Sequence, residues 1–253
     1  MKPHLVADVG NSRIKWGICD AYGMITSASL PPDDLAAWQE QLSAWLPRYP
    51  GPFTWAIAGV HPERRDQLAE WIRQRGDTVT VLESWRQLPL EVKVEQPERV
   101  GIDRLLNTVA LRSRTVRSVS MVVIDAGSAV TVDWVDERGT FRGGAIFPGL
   151  RLMAKALHDY TALLPEVTVR ESNPPVPGTS TAAAIEAGIF WATAGGIKAL
   201  VRQLAYQAED GRHGEVYLTG GDAELLAPVM DLGVCLWPRM TLEGIRIAAQ
   251  ALP

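Results

Sequence analysis

Three residues that could bind a phosphate group through a metal ion follow one apolar run of the sequence. Asp125, Gly127 and Ser128 come directly after the apolar residues 121–124. A glycine turn can present backbone N–H groups to an anion, because no side chain covers them. The carboxylate would repel that anion unless a cation lies between the two. The pattern therefore favours metal-assisted phosphate chemistry at this turn.

The same arrangement occurs once earlier in the chain. Asp8, Gly10 and Ser12 follow the apolar residues 5–7, and an alternating apolar pattern resumes after both turns. This pattern predicts a strand, a tight turn and a strand at each place. For either copy alone, common turn chemistry is the favoured interpretation. Two copies, each opening one half of the chain, indicate an internal duplication and favour a function.

The elements that must position these turns alternate between strands and helices. Strands are predicted at residues 53–60, 78–82 and 142–150 and from residue 215, and helices at 35–46, 64–75, 102–111, around 153–160 and at 182–204. This alternation is typical of an α/β architecture. Trp38 and Trp45 fall on the apolar face of the first helix, so we expect them in the core.

Composition and charge narrow the classes of function. The 253 residues carry a net charge of −4, without the basic stripe that is typical of nucleic-acid binding. We find no apolar run that approaches the roughly 20 residues of a membrane helix, and no signal peptide. Cys19 and Cys235 are too few for a disulfide framework or a cysteine metal site. We therefore expect a cytoplasmic protein with no nucleic-acid partner and no membrane segment.

A second group of chemically interesting residues opens the helix at 102–111. Asp103 and Arg104 lie in its first predicted turn, where the helix dipole favours the acid but not the arginine. An arginine in this place needs an anionic partner. The alternative is that Asp103 caps the helix and Arg104 forms a surface ion pair, and these two residues alone slightly favour that alternative.

The second half contains two further glycine-rich features. The long helix at 182–204, capped by residues 179–181, contains Gly188, Gly195 and Gly196, which suggests close approach by another helix or a ligand. The loop before it, residues 165–178, is rich in proline and could be mobile. Gly220 and Gly221 join a strand to a helix, and a nucleotide base or ribose could lie against this bare backbone. A simple tight connection explains them equally well.

Taken together and in order, these motifs resemble the type III pantothenate kinase family from near residue 5 to near residue 245. The motifs are residues 8–12 (Asp-Val-Gly-Asn-Ser), 101–104 (Gly-Ile-Asp-Arg), 125–131 (Asp-Ala-Gly-Ser-Ala-Val-Thr), 143–149 (Gly-Gly-Ala-Ile-Phe-Pro-Gly), Thr181 with Gly188, 218–223 (Leu-Thr-Gly-Gly-Asp-Ala) and 240–244 (Met-Thr-Leu-Glu-Gly). The resemblance implies the duplicated ribonuclease-H-like, actin-like fold of the acetate and sugar kinase, Hsp70 and actin superfamily. Its two halves would be residues 1–116 and 117–253.

The resemblance also implies an activity, ligands and roles for individual residues. Family members phosphorylate pantothenate with ATP, the first step of coenzyme A synthesis, and usually act as homodimers. Asp103 would be the general base, and Asp8 would hold Mg²⁺ through water. A monovalent cation, K⁺ or NH₄⁺, would lie at Asp125. The residues implied in ATP binding are Asp8, Val9, Gly10, Asn11, Ser12, Arg13, Ile14, Lys15, Ser128, Gly220 and Gly221, and those implied in pantothenate binding are Gly101, Ile102, Asp103, Arg104 and Thr181.

Two positions depart from the family pattern and leave alternatives open. Ser128 replaces a threonine, and Val94 stands where many members have a tyrosine. One alternative is a non-catalytic binding or regulatory relative, because members of this group were also named accessory factors of virulence regulation. The other is a kinase of the same fold that acts on a different small hydroxy acid. An active pantothenate kinase ranks first among these three hypotheses.

Overall fold

The computed structural model describes residues 2–20, 22–45, 51–114, 119–205, 214–231 and 233–252. They form two compact units, Met1–Val116 with Arg239–Pro253, and Arg117–Pro238. The strands are β1 (Leu5–Val9), β2 (Ile14–Cys19), β3 (Met24–Leu30), β4 (Thr54–Gly59), β5 (Thr78–Leu82), β6 (Met121–Ala126), β7 (Ala129–Val135), β8 (Phe141–Pro148), β9 (Glu215–Thr219) and β10 (Cys235–Leu236). The helices are α1 (Leu35–Trp45), α2 (Pro62–Gln74), α3 (Ile102–Arg114), α4 (Leu150–Asp159), α5 (Thr181–Ala205), α6 (Ala223–Leu226) and α7 (Met240–Ala251).

The first unit contains one mixed sheet in the order β3-β2-β1-β4-β5. β1, β2 and β3 pair antiparallel, β4 lies parallel to β1, and β5 lies parallel to β4. β1 and β4 are central strands buried on both faces, which explains their nearly unbroken apolar sequences. The helix α2 makes the crossover that the parallel pair β4 and β5 requires.

A cluster of tryptophans forms the core on one face of this sheet. Trp16, Trp38 and Trp55 are fully buried, and the rings of Trp16 and Trp55 meet edge to face with their centroids 5.0 Å apart. Trp45 is partly buried and packs against the same cluster. The prediction that Trp38 and Trp45 are core residues is confirmed. The last residue of that predicted helix, Leu46, lies outside the described residues.

The C-terminal helix belongs to the first unit, although we assigned residues 239–253 to the second half. In the structure α7 packs on α3 and on β1. A buried hydrogen bond, in which Thr241 Oγ1 donates to Asn107 Oδ1 over 2.8 Å, ties α7 to α3. The apolar face of α7 therefore completes the core of the first sheet, and chain order alone did not indicate this return.

The second unit repeats the connectivity of the first. Its sheet has the order β10-β9-β6-β7-β8. β7 pairs antiparallel with both β6 and β8. β9 lies parallel to β6, and β10 lies parallel to β9. Position by position, β6 to β10 therefore correspond to β1 to β5. This equivalence confirms the duplicated α/β fold that the two Asp-x-Gly turns predicted.

The helix α5 covers one face of the second sheet. Phe190, Ala194 and Ile197 are buried against the sheet residues Val122 and Ile124. By length and composition α5 could also cross a membrane, because it has 25 residues and a stretch with mean hydropathy of 1.3. The helix itself was predicted at residues 182–204, but we did not count it as an apolar run of membrane length, because small residues interrupt the strongly apolar ones. The contacts that α5 makes with the second sheet are those of a buried core helix.

The loop at residues 165–178 is held on α5 rather than free of it. The Arg170 N–H donates to Glu186 Oε1 over 3.0 Å, and Trp191 Nε1 donates to the Pro174 carbonyl over 3.1 Å. The suggestion of a mobile loop rested on composition, which does not reveal these two hydrogen bonds. The loop leads into the start of α5 and so helps to place Thr181.

Candidate active site

The first Asp-x-Gly turn joins β1 to β2. Asp8 is half-buried near the end of β1 and is paired in register with Lys15 of β2. The Gly10 N–H donates to the Arg13 carbonyl over 3.0 Å and closes the turn. All the sequence-predicted phosphate residues from Asp8 to Lys15 therefore form one continuous strand, turn and strand. The side chains of Val9 and Ile14 are buried in the core, so only their backbone groups can face a ligand.

One residue that contacts this turn was missed by the sequence analysis. Arg64, in the first turn of α2, donates from Nη1 to the Asn11 carbonyl over 2.6 Å. Its other edge binds Asp33 with two hydrogen bonds, at 3.0 and 2.8 Å. Like Arg104, Arg64 is a cation in the first turn of a helix, where it needs a compensating partner.

The Gly-Ile-Asp-Arg motif lies at the start of α3. Asp103 is the second residue of the helix rather than its N-cap, since the helix begins at Ile102. The Arg104 N–H donates to Asp103 Oδ1 over 2.8 Å and to the Gly101 carbonyl over 3.2 Å. A Cβ on Gly101 would lie 2.6 Å from the same Oδ1 atom. Glycine at 101 therefore leaves the room that the Asp103 carboxylate occupies.

The side chains of this motif divide between the core and the surface. Ile102 is buried, whereas Asp103 and Arg104 are half-buried. The motif therefore presents a carboxylate and a guanidinium from adjacent positions of one helix turn. This pair can accept a proton and bind an anion at neighbouring points.

The second Asp-x-Gly turn joins β6 to β7 in the second unit. Asp125 is half-buried and pairs in register with Thr131 on one side and Thr219 on the other. Residues paired in register lie on the same face of a sheet, and both threonines are buried. Ser128 is exposed at the tip of the turn, which the Gly127 N–H closes by donating to the Ala129 carbonyl over 3.1 Å.

The Gly-Gly turn after β9 lies directly against this second turn. Gly220 has a φ of +103°, and a Cβ there would collide with the Ala126 backbone. The Asp222 N–H donates to the Ala126 carbonyl over 2.9 Å. Gly221 is exposed, with no atom within 4 Å of where its Cβ would lie. The structure therefore brings Ser128, Gly220 and Gly221 to the same edge of the second sheet.

Asp222 in this turn has an unusual environment that the sequence analysis did not single out. Burial raises the pKa of its carboxyl group above the usual range, and the charge of Arg151 opposes that rise. Both residues belong to the second unit. A desolvated acid beside an exposed glycine backbone marks this edge as a polar site.

Thr181 lies at the start of α5 and beside an apolar cavity. The Ser180 side chain caps the helix, since its Oγ accepts a hydrogen bond from the Ala183 N–H over 3.2 Å. Thr181 is exposed, and it lines a cavity of about 740 Å³ together with Met153, Leu157, Tyr160 and Ile185. The cavity lies between α4 and α5.

The two sheets, with an acid and a glycine turn at equivalent edges, define the duplicated ribonuclease-H-like fold of the actin-like class. Solved structures of low identity share this fold. A putative 2-dehydro-3-deoxygalactonokinase from Sinorhizobium meliloti aligns with a TM-score of 0.57 at 15% identity, covering 98% of both chains. Component A of (R)-2-hydroxyglutaryl-CoA dehydratase from Acidaminococcus fermentans aligns with a TM-score of 0.55 at 15% identity, covering 100% of this chain and 98% of that chain.

The chain belongs to the type III pantothenate kinase family, whose model matches residues 4–203. The type III pantothenate kinase of Alkalilimnicola ehrlichii is 34% identical over 247 residues, or 96% of each chain. That of Gluconobacter oxydans is 31% identical over 253 residues, or 97% of this chain and 92% of the relative. The resemblance inferred from the motifs is thereby confirmed.

Proposed function

We propose that this chain transfers the γ-phosphoryl group of ATP to the hydroxyl group of pantothenate, with Asp103 as the general base. The family membership carries the reaction itself, which begins coenzyme A synthesis. The observation that best supports it from the geometry is the pair of acid and glycine turns at equivalent edges of two sheets. Phosphoryl transfer needs mainly positioning and charge compensation, which such turns provide.

Asp103 suits the role of base because its carboxylate is oriented by the backbone. The Arg104 N–H holds Oδ1 at 2.8 Å, and a carboxylate retains acceptor capacity for the substrate hydroxyl proton. General-base help of this kind contributes about 10²–10⁴ in rate. Arg104 would bind the pantothenate carboxylate bidentately, and Gly101, Ile102 and Thr181 would complete the acceptor site.

Each unit offers backbone-rich residues that we assign to the nucleotide. Residues 8–15 would wrap the phosphates, with Val9 and Ile14 acting through backbone groups alone. Ser128 would supply a hydroxyl contact. Gly220 and Gly221 would leave room for the base or ribose, because Gly221 is exposed and no neighbour occupies its Cβ position.

The donor groups in the two turns fit the two cations. Mg²⁺ commonly keeps several waters and binds one or two carboxylates together with substrate phosphates, and Asp8 supplies such a carboxylate. Asp125, with Thr131 and Thr219 beside it in register, offers the oxygen donors that K⁺ or NH₄⁺ would need. When bound, the cations neutralise charge that develops on the phosphates. Among the described residues no cluster of three or more acidic, histidine or cysteine side chains could hold a metal.

A homodimer would use the surface formed by α4, α5 and the loop after α4. Tyr160 and Leu163 on this surface are 88% and 92% exposed. Large exposed apolar groups in one patch mark interaction sites. Small residues on the exposed side of α5 continue the surface, and nothing lies within 4 Å of a Cβ placed on Gly188 or Gly195. Small residues let two helices approach closely, so the occupant we propose is the same surface of a second copy.

The oligomeric state tests this surface directly. We expect Leu163→Glu to convert a dimer into a monomer in sedimentation equilibrium, because the charge would be buried without a partner. Tyr22→Glu is the matched control, since Tyr22 is 98% exposed in the first unit. A wild-type monomer, or a dimer that survives Leu163→Glu, would contradict the proposed surface.

We place the enzyme in the cytoplasm, where ATP is available and thiols stay reduced. Both cysteines, Cys19 and Cys235, are free in the structure. The buried contacts of α5 in the second core are consistent with a soluble protein.

The decisive assay measures ATP-dependent phosphorylation of pantothenate by the purified protein. We expect turnover with Mg²⁺ and K⁺ that is lost when Na⁺ replaces K⁺, and a decrease of about 10²–10⁴ in kcat for Asp103→Asn. Loss of K⁺ activation in Asp125→Asn would test the cation site separately. Folded protein without turnover under K⁺ or NH₄⁺ would point to the non-catalytic regulatory alternative. Turnover of another hydroxy acid in a substrate panel would point to a kinase of the same fold with a different substrate.

A further inference from the structure

Arg64 is placed where an arginine is disfavoured unless it has a specific task. It lies in the first turn of α2, at the positive end of the helix dipole. The guanidinium is half-buried and uses both edges, one on Asp33 and the other on the Asn11 carbonyl. The ion pair with Asp33, which is 57% exposed, contributes little to stability. Its geometry nevertheless fixes the direction in which Nη1 points.

The carbonyl that Arg64 binds controls the orientation of a backbone N–H in the first Asp-x-Gly turn, the phosphate-binding turn between β1 and β2. The peptide between Asn11 and Ser12 is planar and trans, so the Asn11 carbonyl and the Ser12 N–H point in opposite directions. Holding the carbonyl at 2.6 Å from Nη1 therefore fixes the direction of the Ser12 N–H as well. A turn that must meet an anion with its N–H groups benefits when the peptide plane is set beforehand.

We infer that Arg64, oriented by Asp33, is a positioning residue that presets the phosphate-binding turn for ATP. This inference rests on the proposed function, because it assigns the turn to nucleotide phosphates. Arginine suits the task because its planar fork binds Asp33 with two donors and leaves a third aimed at Asn11. A lysine has one ammonium group without fork geometry, so charge alone does not reproduce the arrangement.

The test compares ATP binding and turnover in Arg64→Ala, Arg64→Lys and Asp33→Asn with the wild type. We expect the KM for ATP to rise by about ten-fold in Arg64→Ala, equivalent to about 1.4 kcal/mol, with the KM for pantothenate unchanged. Arg64→Lys should recover little of the loss, and Asp33→Asn should shift the KM for ATP in the same direction. The double variant should be no worse than Arg64→Ala, since both residues act through one contact.

Arg65 provides the matched control on the same helix turn. It is half-buried like Arg64 but binds Asp66 and Glu83 instead of the turn. Arg65→Ala should therefore leave the KM for ATP unchanged. An equal KM shift in Arg65→Ala, a wild-type KM in Arg64→Lys, or a fall in kcat with an unchanged KM for ATP would overturn the inference.

Direct titration with a fluorescent ATP analogue separates this inference from the proposed function. If the wild type binds the analogue but does not phosphorylate pantothenate, the proposed function fails while weaker binding by Arg64→Ala still supports the inference. If the wild type is an active kinase and Arg64→Ala binds the analogue equally well, only the inference fails. The thermal unfolding midpoint of each variant shows that the altered proteins are folded.

Discussion

The substitution Gly101→Ala should disable the proposed base without disturbing the fold. A Cβ at this position would lie 2.6 Å from Asp103 Oδ1, whereas ordinary contacts begin at 3.4 Å. The carboxylate must therefore move by about 0.8 Å, the difference between these two distances. That movement also disturbs the hydrogen bond from the Arg104 N–H. A displacement of about 1 Å in a catalytic group can cost about 10² in rate, so we expect kcat to fall by about that factor.

The assay separates an effect on the base from an effect on folding or nucleotide binding. We expect the KM for ATP to stay at its wild-type value, because Gly101 is not one of the proposed ATP ligands. The thermal midpoint should change little, since the displaced atom is the end of a side chain rather than backbone. Steady-state measurements of ADP release at saturating K⁺ give kcat and both KM values.

A double-mutant cycle with Asp103→Ala provides the control. In that background no carboxylate remains to collide with the new methyl group, so Gly101→Ala should cause no further loss of kcat. A wild-type kcat for Gly101→Ala would refute the argument that glycine is needed to make room for the base. An additional loss in the double variant, as large as that in the single one, would show that Gly101 acts through something other than Asp103.

Three further predictions concern titration, thiol reactivity and packing. Because burial raises the pKa of Asp222, the folded protein loses stability as the pH rises through that pKa. Asp222→Asn should therefore raise the thermal midpoint above that of the wild type at pH 8, and the difference should vanish below about pH 4. Equal midpoints of variant and wild type at pH 8 would contradict this prediction. Burial raises the pKa of the Cys19 thiol to about 12, whereas Cys235 is exposed. Iodoacetamide should therefore modify Cys235 in the native protein and Cys19 only after unfolding, which mass spectrometry can check. Thr241→Val removes a buried hydrogen bond to Asn107, and should lower the free energy of unfolding in urea by about 1–3 kcal/mol; an unchanged value would show that the bond is not needed to dock α7.

Local sequence signals predicted the strands and helices well where each signal had one physical cause. The apolar run and glycine turn at Asp125 became the hairpin of β6 and β7, and the apolar periodicity around Trp38 became α1. The duplication also followed from local signals, because the two turns occupy equivalent points of equivalent sheets. These features depend on residues that are close together in the sequence, so the local pattern contains the signal for them.

Features that depend on distant neighbours could not be predicted in the same way. The return of α7 to the first unit is decided by packing against α3, which lies more than a hundred residues earlier in the chain. The contact of Arg64 with the Asn11 carbonyl spans 53 positions. Composition suggested that residues 165–178 could move, but two hydrogen bonds to α5 hold them. In each case the outcome depends on a partner at least 16 positions away in the chain, beyond the reach of a local sequence signal.

The different neighbours of the equivalent acids Asp8 and Asp125 support the proposal that the two turns bind different ions. Both acids precede a glycine turn, and both lie in the central strand of their sheet. Their partners in register differ, since Asp8 faces Lys15 whereas Asp125 faces Thr131 and Thr219. A lysine beside the first acid adds a positive charge for the ATP phosphates that would share Mg²⁺ with Asp8, whereas the neutral hydroxyl groups beside the second acid add oxygen donors for a monovalent cation. We therefore propose that the cross-strand neighbour, more than the acid itself, sets which ion each turn binds.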